Sequence, residues 1–330
     1  MVKNKGALLF LGFLGVVVLA FLCASVGAVP IRPLHILQFV TGVPIPEQTQ
    51  LLLTTIRFPR VVAALAVGAA LSMAGLFLQA ILSNALASPS VIGVNAGAGF
   101  FYLLSALLVP TSFGFYTAAA FVGALVTSLL VFGLARSGSD SRHRLILAGV
   151  ALSSMFSAGS DALMTLDDSL ILDRQAFMLG GLTNVRAGEV YPLALVILVL
   201  VIIAQLFSRP LSVLLLGDDM AKSLGLSVGR VRFSALLLAA ALSACSVSLA
   251  GILSFVGLLV PHAMRALFGQ DYRLLIPSVA LFGGAFLLVC DTLARLVFAP
   301  FELPVGILLS LLGAPFFIWL VIRRNRRRSV

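Results

Sequence analysis

The residues of this sequence that could do chemistry are few, and their spacing limits what they can do. The nearest approach to a phosphate-cradling loop is Lys222-Ser223, where Ala221 and Leu216 stand in place of the glycines such a loop needs. Gly93, Gly97 and Gly99 open an apolar run instead of following a strand, so close helix packing is the role they carry. His35, His143 and His262 are far apart and show no converging ligand set, and no metal site is expected from them. Cys23, Cys245 and Cys290 sit singly in apolar runs without a C-x-x-C, which fits neither a disulfide framework nor a thiolate metal site. Asp161 and Asp291 are acids in largely apolar runs, the kind of group an ion-coupled carrier would need. No bond-making machinery emerges, so the chain is not expected to be an enzyme and should hold no cofactor of its own.

The elements that must position these residues follow from composition. The chain has 330 residues, 61% of them hydrophobic and 10% charged, with a mean hydropathy of +1.15. A soluble domain carries about 25% charged residues, so a soluble enzyme, a secreted disulfide scaffold and a disordered chain are all excluded. Apolar runs punctuated by charge or Pro/Gly clusters predict ten membrane helices, at about 7–28, 60–82, 91–109, 115–135, 145–165, 190–207, 233–252, 254–268, 274–298 and 304–322. The expected fold class is all-α, a polytopic membrane protein forming one permease domain over 1–330. The eighth run is short and contains Pro261, as a half-helix shielded by neighbours would. Gly6 to Ala28 is longer than the roughly 7–15 residues of a signal h-region, and a bulky Leu22 precedes Cys23 where a lipoprotein signal would not place it. A retained first helix is expected.

The net charge of +10 does not point to nucleic acid, because the basic residues are scattered singly between apolar runs. Most of them, including Lys3, Lys5, Arg136, Arg209, Lys222, Arg273 and the cluster Arg323 to Arg328, fall on one set of connections. Arg32, Arg57, Arg60, Arg174, Arg186 and Arg295 fall on the other. The positive-inside rule then puts both termini in the cytoplasm of a prokaryotic cell, with the chain in its inner or plasma membrane. Small residues recur at Gly68 to Gly75 and again at Ala239 to Gly251, where backbones can approach closely. These stretches lie five spans apart, so a repeat that relates them must be of inverted, five-plus-five topology.

Four segments place Pro, Gly and charge where a plain lipid-facing helix would not. They are Arg57-Phe58-Pro59-Arg60 with Gly68, Gly75, Gln79 and Asn84 to Pro89; Leu215 to Gly225; Ala250 to Arg265 with Pro261-His262; and Asp291 to Arg295 with Glu302-Leu303-Pro304-Val305-Gly306 and Gly313-Ala314-Pro315. In order and spacing, from about Arg57 to Leu320, they resemble the FecCD-type permeases of type II ABC importers, which carry iron-siderophores, haem or cobalamin. The resemblance implies a ten-helix subunit paired with a second permease copy or a paralogue. It also implies two cytoplasmic ABC ATPases that hold the ATP and Mg, and an extracytoplasmic substrate-binding protein. Arg57, Arg60 and Arg295 match positions that dock the binding protein; interfacial snorkelling is the plainer reading. The connection at about 209–230 matches the ATPase-coupling segment, with Leu216, Gly217, Asp218, Asp219, Met220, Ala221, Lys222, Leu224 and Gly225 as its contact residues. The i, i+4, i+8 spacing of Leu216, Met220 and Leu224 puts them on one helical face, against the alternative of a solvated loop.

Asn84 and Leu86 match part of the cytoplasmic gate, although Asn84 equally suits a helix cap. Arg142 and His143 stand where the second half of that gate is expected. Ser153, Ser154, Ser157 and Ser160 form a polar seam with Asp161 that would line the translocation path. The chain departs from the family pattern at Ala85, where proline is usual, around Phe177 to Leu182, where a tryptophan is usual, and at Arg142 and His143. Among the cargoes the resemblance implies, iron-siderophore comes first, with haem and cobalamin next. The competing readings are a secondary transporter driven by H⁺ or Na⁺ through Asp161 or Asp291, and a passive channel.

Overall fold

In a hydrocarbon layer every backbone polar group must be paired within its own segment, which helices do unaided. The computed structural model describes residues 5–27, 29–89, 93–110, 113–135, 141–297, 299 and 301–326, and their regular structure is all helical. The chain is an all-helical, multi-pass membrane protein. Seven helical stretches are long and apolar enough to cross a membrane, namely Lys5–Ser25, Glu47–Ile81, Gly114–Leu134, Arg144–Leu166, Ala187–Leu214, Val228–Ala250 and Tyr272–Leu296. Three shorter apolar helices, Val94–Leu108, Val256–Phe268 and Val305–Ile318, complete a set that follows the ten expected segments in order.

In chain order the helices are α1 (Lys5–Ser25), α2 (Pro33–Val40), α3 (Glu47–Leu52), α4 (Phe58–Ile81), α5 (Val94–Leu108), α6 (Phe113–Ala135), α7 (Ser141–Leu166), α8 (Leu170–Leu179), α9 (Ala187–Ala204), α10 (Ser208–Leu214), α11 (Asp218–Ser223), α12 (Val228–Ala250), α13 (Val256–Phe268), α14 (Tyr272–Leu296) and α15 (Val305–Arg326). Patterning did not single out α2, α3, α8 and α10, because helices of six to ten residues are too short to show a hydropathy period. The second expected run is also longer than its pattern. A π-helical turn at Leu53–Arg57 joins α3 to α4, so one continuous helix starts at Glu47.

The small-residue stretches lie at the centre. α4 packs against α12, α13 and α14, and most of its residues are buried. A Cβ at Gly68 would collide with the Gly283 carbonyl of α14, and one at Gly75 with the Gly257 carbonyl of α13. These are backbone-to-backbone contacts, the geometry that small residues permit in membrane bundles. On the periphery, α1 and α9 leave most of their apolar side chains partly or fully exposed.

The eighth expected run begins two residues later than its pattern. Gly251 to Phe255 is non-helical, and α13 starts only after Phe255, whose φ of 68° is left-handed. The helix that follows α4 starts the same way, with Gly93 at φ 74° before α5. Pro261 sits inside α13 without breaking it.

Candidate functional site

Two polar regions lie at opposite ends of α4, whose 24 residues span about 36 Å at 1.5 Å per residue. At the first end, the π turn and Pro59 deliver Arg57 and Arg60 to the start of the helix. Asp291 and Arg295, one turn apart at the far end of α14, face them. Arg60 donates Nε to Asp291 Oδ2 at 3.0 Å and Nη2 to Oδ1 at 3.0 Å, a two-pronged pair. Its Nη1 donates to Glu302 Oε2 at 2.7 Å, just ahead of α15. Arg295 Nε lies 3.3 Å from Asp291 Oδ2. Arg57 Nη2 donates to Val29 O at 2.7 Å and its Nη1 to Val26 O, while Arg295 Nη1 donates to Val26 O at 3.1 Å. Carbonyls in the segment just beyond α1, which no helix pairs, are thereby satisfied by guanidiniums.

This cluster of three arginines and two carboxylates is nearly dry. Asp291 is 1% exposed and Arg57, Arg60 and Arg295 are 7%, 6% and 5% exposed, whereas the Glu302 side chain is 30% exposed. Buried charges persist only when paired and hydrogen-bonded, and here each guanidinium has an anion or a carbonyl against it. The three arginines expected at a docking surface are thus brought together, but as a buried framework. Sequence reading missed Asp291 and Glu302 as their partners. Asp291 lies one turn from Arg295, a spacing visible in sequence, whereas only a separation of more than 200 residues closed by the fold brings Asp291 and Glu302 to Arg60.

At the other end of α4, a cavity of about 410 Å³ is lined by Gln79, Ser83, Asn84, Gly217, Arg265 and Tyr272, among others. Gln79 Nε2 donates to Gly257 O at 3.0 Å, and Arg265 Nη1 donates to Gln79 Oε1 at 2.5 Å, so α4 and α13 are bridged by side chains. This bridge also went unassigned from sequence. Asn84 is exposed, and its Oδ1 accepts from Leu86 N at 3.0 Å, which stabilises the turn after α4. Leu86 lines a small apolar cavity together with Phe255, Leu259 and Phe316.

The expected coupling segment adjoins this cavity. Gly217 (φ 95°) and Gly225 (φ 82°) take left-handed conformations that bracket α11. Asp218 accepts from both Nη atoms of Arg232 at 2.7 Å, tying α11 to α12. Ala221 is fully buried, whereas Leu216, Met220 and Leu224 are 61%, 55% and 61% exposed. Lys222 and Asp219 form only a loose exposed pair at 3.7 Å. Only Met220 lies on α11 itself; the left-handed Gly217 separates Leu216 from the helix and Leu224 caps its end, so the three do not form the single helical face that their spacing predicts, although all three are exposed.

The serine seam divides. Ser153, Ser157 and Ser160 line a cavity of about 230 Å³ with Asn95, Gly99 and Arg174, whereas Ser154 is exposed and absent from its lining. Ser153 and Ser160 donate back to the α7 carbonyls of Gly149 and Phe156. Asp161, which has no evident partner in the sequence, accepts from Arg174 Nη1 of α8 at 2.7 Å. Arg142 and His143 stand in the first turn of α7, and their side chains lie outside the described residues. Among the described residues no cluster of three metal-ligating side chains occurs.

Comparison with known proteins is consistent across sequence and structure. The model of the FecCD transport family matches residues 15–323. The hemin transport system permease protein HmuU of Yersinia pestis is 37% identical over 280 residues, covering 83% of this chain and 84% of the relative. The Fe(3+) dicitrate transport system permease protein FecD of Escherichia coli K12 is 39% identical over 269 residues, covering 81% and 84%. A solved inward-facing conformation of a metal-chelate type ABC transporter superposes with a TM-score of 0.85 at 29% identity, covering 96% of this chain and 99% of that one.

Proposed function

The chain belongs to the FecCD transport family and is the permease subunit of an ABC importer, not itself an enzyme, and from that premise we propose that it translocates a metal chelate. Iron-siderophore is the first cargo to test, then haem or cobalamin. The similarity to permeases named for hemin and for Fe(3+) dicitrate supports this cargo class. The permease forms one domain of ten spans over 1–330, both termini on the cytoplasmic side of a prokaryotic inner or plasma membrane. It works as a pair, with a second copy or a paralogue. The inverted five-plus-five repeat is supported by α4 and α12, each rich in small residues and each followed by a left-handed residue and a short apolar helix.

The observation that carries the mechanism is the exposure of three apolar side chains, Leu216, Met220 and Leu224, on and beside α11. A short helix braced by Asp218 and Arg232, carrying exposed Met220 and flanked by exposed Leu216 and Leu224, suits insertion into a groove on a partner. We assign that partner as a cytoplasmic ABC ATPase, which supplies ATP and Mg chemistry, with 209–230 as the coupling segment. Asp219 and Lys222 flank these side chains, and Gly217 and Gly225 set the angle of α11. Movement of α11 reaches the gate through the cavity that Gly217 shares with Gln79, Asn84 and Arg265. Asn84, Leu86, Arg142 and His143 act at that gate, and Ser153, Ser154, Ser157 and Ser160 line the path on α7.

At the opposite mouth, Arg57, Arg60 and Arg295 attract the acidic surface of an extracytoplasmic binding protein. The cluster's excess of one guanidinium over its two carboxylates supports this role, since a net charge there steers encounter even where the charges are braced internally. Ion coupling through Asp291 is disfavoured, because two arginines hold that carboxylate and leave it no room to exchange its partner. Co-reconstitution in proteoliposomes tests the assignment. Uptake requires the permease, ATPase, binding protein and ATP together, and an ionophore leaves it intact. Uptake without the ATPase, or collapse by the ionophore with ATP in excess, would overturn it.

A further inference from the structure

α4 is buried along most of its length, yet Ala66 and Ala69 face an open cleft between α1 and α9. The cleft has a volume of about 670 Å³ and walls with hardly any polar atoms, including Phe13 on α1 and Ala194 on α9. That size lies within the roughly 300–1,000 Å³ of ligand pockets. Nothing in the translocation scheme uses it, for it opens sideways through the peripheral helices, away from the cavities at Gly217 and on α7.

One end of the cleft is cationic. Gly6, Val201 and Pro277 all line it, and the next turn or residue beyond each carries polar groups. Lys5 precedes Gly6, Arg273 lies one turn before Pro277, and Gln205, one turn past Val201, donates to the Arg273 carbonyl at 3.1 Å. Arg209 follows one turn later. The one acid beside them in sequence is Asp271, whose carboxylate is engaged by the backbone N–H of Arg273 at 3.0 Å. Lys5 Nζ donates to the Phe268 carbonyl, which fixes its amine at this end. Arg209 and Arg273 are exposed.

We propose that this cleft is a binding site for one anionic phospholipid, with an acyl chain against Ala66 and Ala69 and the phosphate headgroup between Lys5 and Arg273. An apolar trough ending in surplus cations matches an amphiphile of opposite headgroup charge, and basic pockets between membrane helices hold anionic headgroups for this reason. A zwitterionic lipid would fill the trough but gain little from the cations. A second protein helix would leave those cations unmatched unless it brought its own acids. The bound chain would also seat α1, which buries little of its surface against the rest of the protein.

The full-length chain in nanodiscs of equimolar phosphatidylglycerol and phosphatidylcholine, released into detergent for native mass spectrometry, tests this directly. One phosphatidylglycerol per chain is expected to survive, favoured at least tenfold over phosphatidylcholine. Each of Lys5→Ala and Arg273→Ala should lower that preference about fivefold. Ala69→Phe, which fills the trough, should abolish retention of either lipid. If Ala69→Phe fails to insert, Phe13→Trp in a chain that also carries Trp319→Phe decides, because the fluorescence then comes from position 13 alone and should be quenched by brominated phosphatidylglycerol more strongly than by the phosphatidylcholine analogue. Equal retention of the two lipids, no retention, equal quenching, or a disulfide between two chains carrying Phe13→Cys would each overturn the proposal.

Discussion

At the Arg60 end of α4 four charged side chains are folded away from water, with Glu302 at their edge, and are paired with one another or with carbonyls, while at the Gly217 end Asp219 and Lys222 stay at the surface and apolar side chains are exposed beside them. A charge in a dry site must be matched or the site does not form, so the first arrangement fixes how α1, α4, α14 and the segment before α15 sit. Exposed pairs such as Asp219–Lys222 contribute little to stability, which leaves the second free to change partners. The difference separates a frame from a moving part: the same family of residues is structural at one mouth and available for work at the other.

The sharpest way to break this contrast is Asp291→Ala, which removes the buried anion shared by Arg60 and Arg295 and leaves Arg60 with Glu302 and Arg295 with uncharged acceptors only. A loss of about 3–5 kcal/mol is expected, read as a lower unfolding temperature in detergent or as failure to accumulate in the membrane. A variant as stable as the wild type would end the view of this cluster as a frame. Gly75→Ala comes next, because its Cβ would strike the Gly257 backbone. Overpacking costs about 1–3 kcal/mol, and the same assay reads it without touching a charge. Replacing Leu216, Met220 and Leu224 by serine should reverse the pattern. Unfolding shifts by no more than about 0.5 kcal/mol, while ATP-driven uptake falls at least about tenfold, some 1.4 kcal/mol. Unchanged uptake would remove the elbow from the coupling path.

Smaller effects sharpen the boundary. Glu302→Gln removes the most exposed anion of the cluster, and a loss of about 1 kcal/mol or less is expected, with binding-protein affinity rising because the mouth becomes more positive. A fall in that affinity would count against docking at the arginines. Lys222→Ala should leave stability unchanged within about 0.5 kcal/mol, and a larger loss would mean that the exposed end is more braced than its geometry allows.

Much of this molecule is legible from sequence because membrane helices carry their own signal. The long apolar runs predict the helices to within a few residues at most ends, whereas the spacing of Leu216, Met220 and Leu224 predicts one helical face that the left-handed Gly217 interrupts, because a backbone reversal at glycine leaves no trace in apolar spacing. The eighth run was placed early because Ser254 and Phe255 continue the apolar pattern, and a left-handed Phe255 leaves no trace in hydropathy. Asp161 lacks a partner in sequence because Arg174 reaches it only after the chain turns between α7 and α8.

By itself the sequence determined the solvent, the helical class, the central place of the small-residue helices and the motifs that point to an importer, since each depends on local composition or short spacing. The tertiary structure alone decided that Arg60 meets Asp291 and Glu302, that Arg265 grips Gln79, and that an apolar cleft opens beside α4. Those outcomes depend on which helices become neighbours, and side chains more than 180 residues apart have no physical means of finding one another until the bundle has packed.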